Sequence, residues 1–231
     1  MKNICLIPAR GGSKRIPRKN IKIFFGKPLI AWSIEVAKQS SIFDEVFVST
    51  DDIEIANIAR SYGAVVPFLR PKNLSDDYAI DKEVIEHFIS WMSDNKMNPD
   101  VLCYLYATAP FITEKVLNDV LELLISSGGV MAHTVTNYDY SVFKALKKDE
   151  NGYLKFMWEE FSDKRTQDLQ ELIHDAGQCY FYNLKKYGKD EKVVGYHLPR
   201  LLCQDIDTLE DFNNAEKLFK LFSLDKNLNS F

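Results

Sequence analysis

The order of elements in this sequence predicts an α/β fold, a mostly parallel central sheet covered by helices. Two observations lead there. Short apolar runs rich in Val, Ile and aromatics alternate with longer stretches of helical period. The first of those runs ends in a glycine-bearing loop, the place where open α/β sheets bind ligands. The 231 residues, 46% hydrophobic and 27% charged, suffice for one substantial core, so residues 1–231 read as a single domain.

The strands are expected at Asn3–Ile7, Glu45–Ser49, Val101–Tyr106, Gly129–Val135, Gln178–Tyr182 and Val193–His197. Between them, Val84, Ile85, Phe88, Ile89 and Met92 repeat at three- and four-residue steps, as do Val116, Leu117, Val120, Leu121 and Leu124. Both sets are core-facing helix stripes. Thr113 and Thr208 stand where N-caps belong, and Leu209, Phe212, Ala215, Leu218, Phe219 and Phe222 line one face of a terminal helix. The alternation breaks at about 137–174, where aromatic-rich segments surround a turn at Asn151-Gly152. That stretch is expected to be an insert on the sheet. Its apolar side chains lack a core of their own, so it either packs on a second subunit, making a homodimer, or folds back on its own domain.

The apolar run Ile4–Ile7 is cut off by Pro8 and Arg10, too short for a signal peptide, and no run approaches a membrane span. A cytoplasmic protein without a membrane partner is expected. The net charge of -4 argues against a nucleic-acid partner, which needs a basic face. Cys5, Cys103, Cys179 and Cys203 are widely separated and form neither a zinc knuckle nor a redox pair. His87, His133 and His197 fall in helix or strand patterns and read as structural.

Against that acidic background, residues 10–20 hold five basic side chains in eleven positions. Paired glycines, Gly11 and Gly12, let backbone N–H groups approach phosphate oxygens, while Arg10, Lys14 and Lys19 supply the charge a triphosphate requires. The segment is not a Walker A loop, because Gly26-Lys27 is followed by Pro28 and preceded by Ile21 in place of the first glycine. Near the C-terminus, Asp205 and Asp207 lie two apart, so in extended backbone both carboxylates point to one face. That pair suits Mg2+, a hard cation that takes one or two protein carboxylates and completes its shell with water and phosphate. A second role is open for Asp207 or Thr208, either of which could cap the terminal helix.

The run Ile7-Pro8-Ala9-Arg10-Gly11-Gly12-Ser13-Lys14-Arg15-Ile16-Pro17-Arg18-Lys19-Asn20 resembles the signature of the acylneuraminate cytidylyltransferase family, the CMP-sialic acid synthetases and their relatives. The likeness continues through Ser49-Thr50-Asp51, Arg70-Pro71 with Leu74-Ser75-Asp76, and Gln204–Thr208. It implies a three-layer nucleotidyltransferase fold with a small dimerisation insert. It also implies transfer of CMP from CTP to a nonulosonic acid. The nucleotide-binding candidates are then Arg10, Gly11, Gly12, Ser13, Lys14, Lys19, Asn20 and Arg70, with Lys19 near the α-phosphate and Arg70 reading cytosine. Lys19, Asp207 and Arg10 are the catalytic candidates, and Asp205 and Asp207 the metal ligands.

The chain departs from the sialic-acid pattern after the central strand, where it reads Leu105-Tyr106-Ala107-Thr108-Ala109-Pro110-Phe111-Ile112. It departs again at Arg165-Thr166-Gln167-Asp168-Leu169 and His174-Asp175-Ala176-Gly177. These variants resemble the pseudaminic acid cytidylyltransferases. Changed hydrogen-bonding groups in a sugar pocket discriminate strongly, which makes Tyr106, Thr108, Arg165, Gln167, His174 and Asp175 candidate sugar contacts. The nearest alternative is a sialic or legionaminic acid cytidylyltransferase. Alternatives of another class are a nucleotide-sugar glycosyltransferase, whose Asp-x-Asp site normally follows a mid-chain strand, and a non-catalytic nucleotide-binding protein.

Overall fold

In the computed structural model, which describes residues 1–189 and 191–224, the chain opens with strand β1 (Asn3–Pro8). A short hairpin follows, β2 (Ile23–Phe24) and β3 (Lys27–Pro28), leading into helix α1 (Leu29–Gln39). Strand β4 (Glu45–Ser49), α2 (Ile53–Ser61) and α3 (Asp81–Asp94) come next, then β5 (Val101–Leu105), α4 (Glu114–Ser127) and β6 (Met131–Asn137). A second hairpin, β7 (Leu146–Lys148) and β8 (Leu154–Phe156), precedes β9 (Ile173–Asn183), β10 (Val193–His197) and α5 (Leu209–Leu224).

Six strands form the main sheet in the order β10-β6-β9-β5-β1-β4. All neighbours are parallel except β9, which runs antiparallel to both β5 and β6. Alternation of side chains along β1 decides the layers. Cys5 and Ile7 join Val46, Val48, Cys103 and Leu105 on the face covered by α1, α2 and α4. Ile4 and Leu6 join Phe47, Leu102 and Tyr104 on the opposite face, under Val84, Ile85, Phe88 and Met92 of α3. Cys5, Cys103 and Cys179 are buried free thiols that pack as small hydrophobes.

A third apolar cluster brings the two ends of the chain together. Ile16 from the loop after β1 and Phe24 from the first hairpin meet Phe111, Ile206 and the α5 residues Phe212, Ala215 and Phe222. Phe24 makes edge contacts to Phe212 and Phe219 at 5.5 and 5.4 Å. The terminal stripe starts one turn later than its sequence pattern suggests. Leu209 is 53% exposed, because the first turn of α5 has not yet reached the core.

The strand expected at Gln178–Tyr182 is longer than its apolar stretch, running from Ile173 to Asn183. Gly177, at a φ of 62°, bends it where its pairing with β6 shifts register between His133 and Val135. Consequently the insert leaves the sheet at Asn137 and returns at the paired residue Ile173.

Thr113 caps α4, accepting from the Val116 N–H at 3.3 Å. Thr208 caps α5: its hydroxyl accepts from the Asp211 N–H, and the Asp211 carboxylate accepts from the Thr208 N–H at 2.7 Å. Asp207 is thereby free of the capping role. Asp52 caps α2 by accepting from the Glu54 and Ile55 N–H groups at 2.9 and 3.0 Å. The hydrogen bond from Arg18 pulls the Asp52 carboxyl down from 3.8 to about 2, with burial opposing and the helix N–H groups assisting.

A carboxyl depressed on folding adds stability above its unfolded pKa and loses it as pH falls through the folded value. Asp52→Asn is expected to destabilise the protein by about 1–2 kcal/mol near neutral pH. The gap to wild type should close as pH drops from 3.8 toward 2. Urea unfolding of both proteins across that range checks this, and a pH-independent gap would refute it.

Candidate active site

The loop after β1 is fixed by groups that the sequence alone does not connect. Gly11 donates its N–H to Asp51 Oδ1 at 2.9 Å. A Cβ at Gly11 would sit 2.8 Å from Asp52 Oδ2, so this glycine is required by close packing, whereas a Cβ at Gly12 would meet nothing within 4 Å. The Asn20 side chain is buried and donates to the Arg10 carbonyl at 3.0 Å. Arg18, held at a left-handed φ of 59°, turns away to bridge Asp52 and Glu54. The basic run therefore splits, one residue acting as a strut and the rest facing a cleft.

That cleft has a volume of about 480 Å³, and its walls include Arg10, Ser13, Lys14, Arg15, Lys19, Asn20, Arg70, Asp81, Tyr104, Tyr106 and Thr108. It lies beyond the carboxyl ends of β1 and β5, where an α/β sheet places its ligands. A groove of about 510 Å³ between α1 and α5 is lined instead by Phe25, Trp32, Phe111, Phe219 and Phe222. Among the described residues lining that groove Lys27 is the single basic side chain and pairs with Glu35, whereas the cleft gathers Arg10, Lys14, Arg15, Lys19 and Arg70, so the cleft is the candidate anion site.

The cleft cations are paired within the chain. Arg10 and Lys14 both pair with Asp77, Arg10 at 3.2 Å. Two cations pull the Asp77 carboxyl below its usual range, the Lys14 hydrogen bond foremost. Arg70 is 5% exposed, and its Nε donates to Ser75 Oγ at 3.0 Å. Burial lowers its pKa, with Tyr104 and Asp51 opposing.

Lys19 links the loop to the late aspartates. Its Nζ donates to the Ile206 carbonyl at 2.6 Å and lies 3.4 Å from Asp207 Oδ1. Arg15 meets the other Asp207 oxygen at 2.7 Å. Ile206 is buried in the third cluster, between an exposed Asp205 and a half-buried Asp207. The Asp205 carboxyl is raised first by the protein around it and next by the charge of Asp207. Two hard oxygen donors under mutual repulsion fit a divalent cation. Among the described residues no group of three or more His, Cys, Asp or Glu side chains is gathered as a metal site.

Of the sugar candidates, Tyr106 and Thr108 line the cleft. Asp175 lies behind them, accepting from Tyr180 Oη and from the Gly177 N–H, both at 2.8 Å. Arg165 pairs with Asp168 at 2.7 Å and is largely exposed. Gln167 lines a separate hollow of about 300 Å³ in the insert. The exposed His174 holds its Nδ1 2.8 Å from the Asp175 carbonyl. These three stand outside the cleft of the single chain.

Sequence reasoning passed over Arg15, Asp77, Asp81 and Tyr104. Arg15 belongs to the basic run and was within reach of charge counting. Tyr104 and Asp81 carry no local signal, since only the packing of α3 on β5 brings them together.

A family model described as cytidylyltransferase matches residues 4–223. The chain belongs to that family. A pseudaminic acid cytidylyltransferase of Campylobacter jejuni subsp. jejuni is 43% identical over 226 residues, covering 96% of this chain and 97% of the relative. An N-acylneuraminate cytidylyltransferase of Oncorhynchus mykiss is 31% identical over 96% of this chain and 52% of its own length. A solved CMP:2-keto-3-deoxy-manno-octonic acid synthetase complexed with CTP superposes with a TM-score of 0.69 at 18% identity, over 96% of this chain and 99% of that one. Membership in the cytidylyltransferase family makes the protein a CTP-dependent transferase and sets aside the glycosyltransferase alternative. Among the described residues no helix is long and apolar enough to cross a membrane.

Proposed function

We propose that this cytidylyltransferase joins CMP from CTP to the anomeric hydroxyl of pseudaminic acid and releases pyrophosphate. The observation that carries the sugar assignment is the 43% identity to a pseudaminic acid cytidylyltransferase across nearly the full length of both chains. The relatives named for N-acylneuraminate reach 30–39% over about half of their own length.

In this reading Arg10, Lys14 and Lys19 grip the triphosphate, displacing Asp77 from the first two. The buried Arg70 reads cytosine, its charge kept in place by Ser75 and the nearby Asp51. The sugar hydroxyl attacks the α-phosphorus in line and gives its proton to one of the late aspartates or to solvent water; the new C–O–P link forms as the Pα–O bond to pyrophosphate breaks. Lys19, anchored on the Ile206 carbonyl, stabilises the negative charge that develops on the phosphoryl oxygens. Asp205 and Asp207 would hold Mg2+, which supplies further charge neutralisation at the phosphates. Arg15 and Lys19 balance Asp207 until substrate arrives.

We place the enzyme in the cytoplasm and assign a second copy of the chain as partner to the insert at 137–174. Exposed Tyr140, Tyr153, Leu154 and Leu146 in that insert, 88%, 71%, 61% and 52% accessible, support the assignment.

The test is a substrate panel. Purified enzyme with CTP and Mg2+ should release pyrophosphate with pseudaminic acid at a kcat/KM well above that with sialic or legionaminic acid. Preference for sialic acid would overturn the sugar assignment, and no pyrophosphate with any of them would overturn the reaction.

A further inference from the structure

The segment after β1 rests on two consecutive aspartates. Asp51 accepts from the Gly11 N–H at 2.9 Å at one end of it, and Asp52 takes the guanidinium of Arg18 at the other. Arg18 engages both oxygens of Asp52, one of them through Nη2 at 3.0 Å, and reaches Glu54 with the same Nη2. Asp52 is itself fixed, because it also accepts from the Glu54 and Ile55 N–H groups at the start of α2. Its carboxylate packs so closely on Gly11 that a Cβ there would stand 2.8 Å from Oδ2. A forked cation on a carboxylate held by a helix N-terminus makes a joint fixed in direction as well as distance.

Arg18 also carries an uncommon backbone. Its φ of 59° and ψ of 31° lie in the left-handed region, which a residue with a Cβ enters at a cost and keeps only where its surroundings enforce it. The bend serves the next residue. Arg18 is the N-cap of the single-turn helix Lys19–Ile21, and its carbonyl accepts from the Ile21 and Lys22 N–H groups, both at 3.0 Å. The Lys19 N–H returns to the Ile16 carbonyl at 3.1 Å. Lys19 therefore leaves the chain from a turn whose entry is set by Arg18.

These adjacent cations face different ways. Lys19 and Asn20 line the cleft, whereas Arg18 is absent from its walls and points to α2. Ion pairs this exposed contribute little to stability, and a glycine would take the left-handed angle without strain. The fold alone gains little from an arginine here. What the arginine adds is a fixed origin for the Lys19 side chain, whose ammonium must meet the Ile206 carbonyl across the cleft.

We propose that Arg18 is a positioning residue for the transfer step: clamped on Asp52 and Glu54, it holds the turn that aims Lys19 at the phosphates. It touches no substrate. The inference rests on the proposed role of Lys19 and adds the device that directs it.

The experiment is a double-mutant cycle between Arg18→Ala and Lys19→Ala, read as pyrophosphate release at saturating CTP, Mg2+ and pseudaminic acid, with folding checked by thermal melting. Arg18→Ala alone should lower kcat about ten- to hundredfold, the loss expected when a catalytic group is displaced by about an ångström. KM for pseudaminic acid should stay within about twofold, because transition-state aim and not ground-state binding is lost. In the Lys19→Ala background the same substitution should change kcat by less than about twofold, since the group it directs is gone. Arg18→Gly relaxes the backbone and removes only the clamp, and it should lose most of what Arg18→Ala loses. Arg18→Lys keeps a charge without the fork and should fall between these and wild type; it decides the matter if the shorter side chains prevent folding.

Equal losses from Arg18→Ala in both backgrounds would make Arg18 a general structural part, and a wild-type kcat in Arg18→Gly would make the clamp dispensable. Either result overturns the proposal. Lys19→Ala by itself tests the reading beneath it: a rate near wild type there removes the role of Lys19 and the proposal together, whereas a large loss there with additive Arg18→Ala removes the proposal alone. Should the wild-type enzyme ignore pseudaminic acid, the substrate reading fails separately, and the same cycle on the sugar acid it does use decides the role of Arg18.

Discussion

Lys19→Ala is expected to lower kcat by about 100- to 1,000-fold, the range for removing one fixed donor from a developing oxyanion. The side chain is only 18% exposed, and its ammonium is aimed by the Ile206 carbonyl at 2.6 Å and the Asp207 carboxylate at 3.4 Å. An ammonium held this way requires no reorganisation when charge builds on the phosphoryl oxygens. Lys19→Arg should rescue little, because the planar fork does not fit an anchor built for a compact charge. Pyrophosphate release at saturating CTP and sugar acid measures the loss. A rate near wild type would remove Lys19 from the chemistry.

The second large effect concerns the metal. Asp205→Asn should raise the Mg2+ concentration for half-maximal rate by about tenfold or more, because it removes one of two charged oxygen ligands. Asp207→Asn should do the same and in addition release Arg15 and Lys19 from their common partner. The two variants separate ligation from ion pairing. A shift shared by both belongs to the metal, and a further loss of kcat at saturating Mg2+ in Asp207→Asn alone belongs to the misplaced Lys19. An unchanged Mg2+ requirement in both would refute the ligand assignment.

How far the site was legible follows from the range of each signal. The basic loop stood out because its charge is concentrated within eleven residues, and the aspartate pair because alternation in extended backbone is a two-residue rule. Arg18 looked like its basic neighbours, yet it faces Asp52 and Glu54. Its direction depends on a left-handed backbone angle that charge counting does not register. Asp81 stayed hidden for the opposite reason. A helix-starting aspartate has an ordinary local explanation, and its hydrogen-bond donors, Tyr104 and Tyr106, lie more than twenty residues away, across a helix and a turn. The fold was more transparent than the site, since hydrophobic period survives in any three-layer sheet. The length of β9 was the exception: residues 173–175 pair with β6 while carrying polar side chains such as His174 and Asp175.

The position of β9 also bears on how the chain assembles. β4, β1 and β5, with α1, α2 and α3, are complete early in the sequence and join through parallel neighbours. β6 cannot be attached to that half directly. It is separated from β5 by β9, a strand made only after the whole insert has been traversed. Until then β5 presents an open edge on a largely apolar strand, the kind of surface on which chains pair wrongly. Closing the sheet is thus a long-range event, slow by nature because distant segments must meet before any contact rewards them. Cys179 opposite Leu105 and Phe181 opposite Cys103 are among the pairs through which β9 covers that edge.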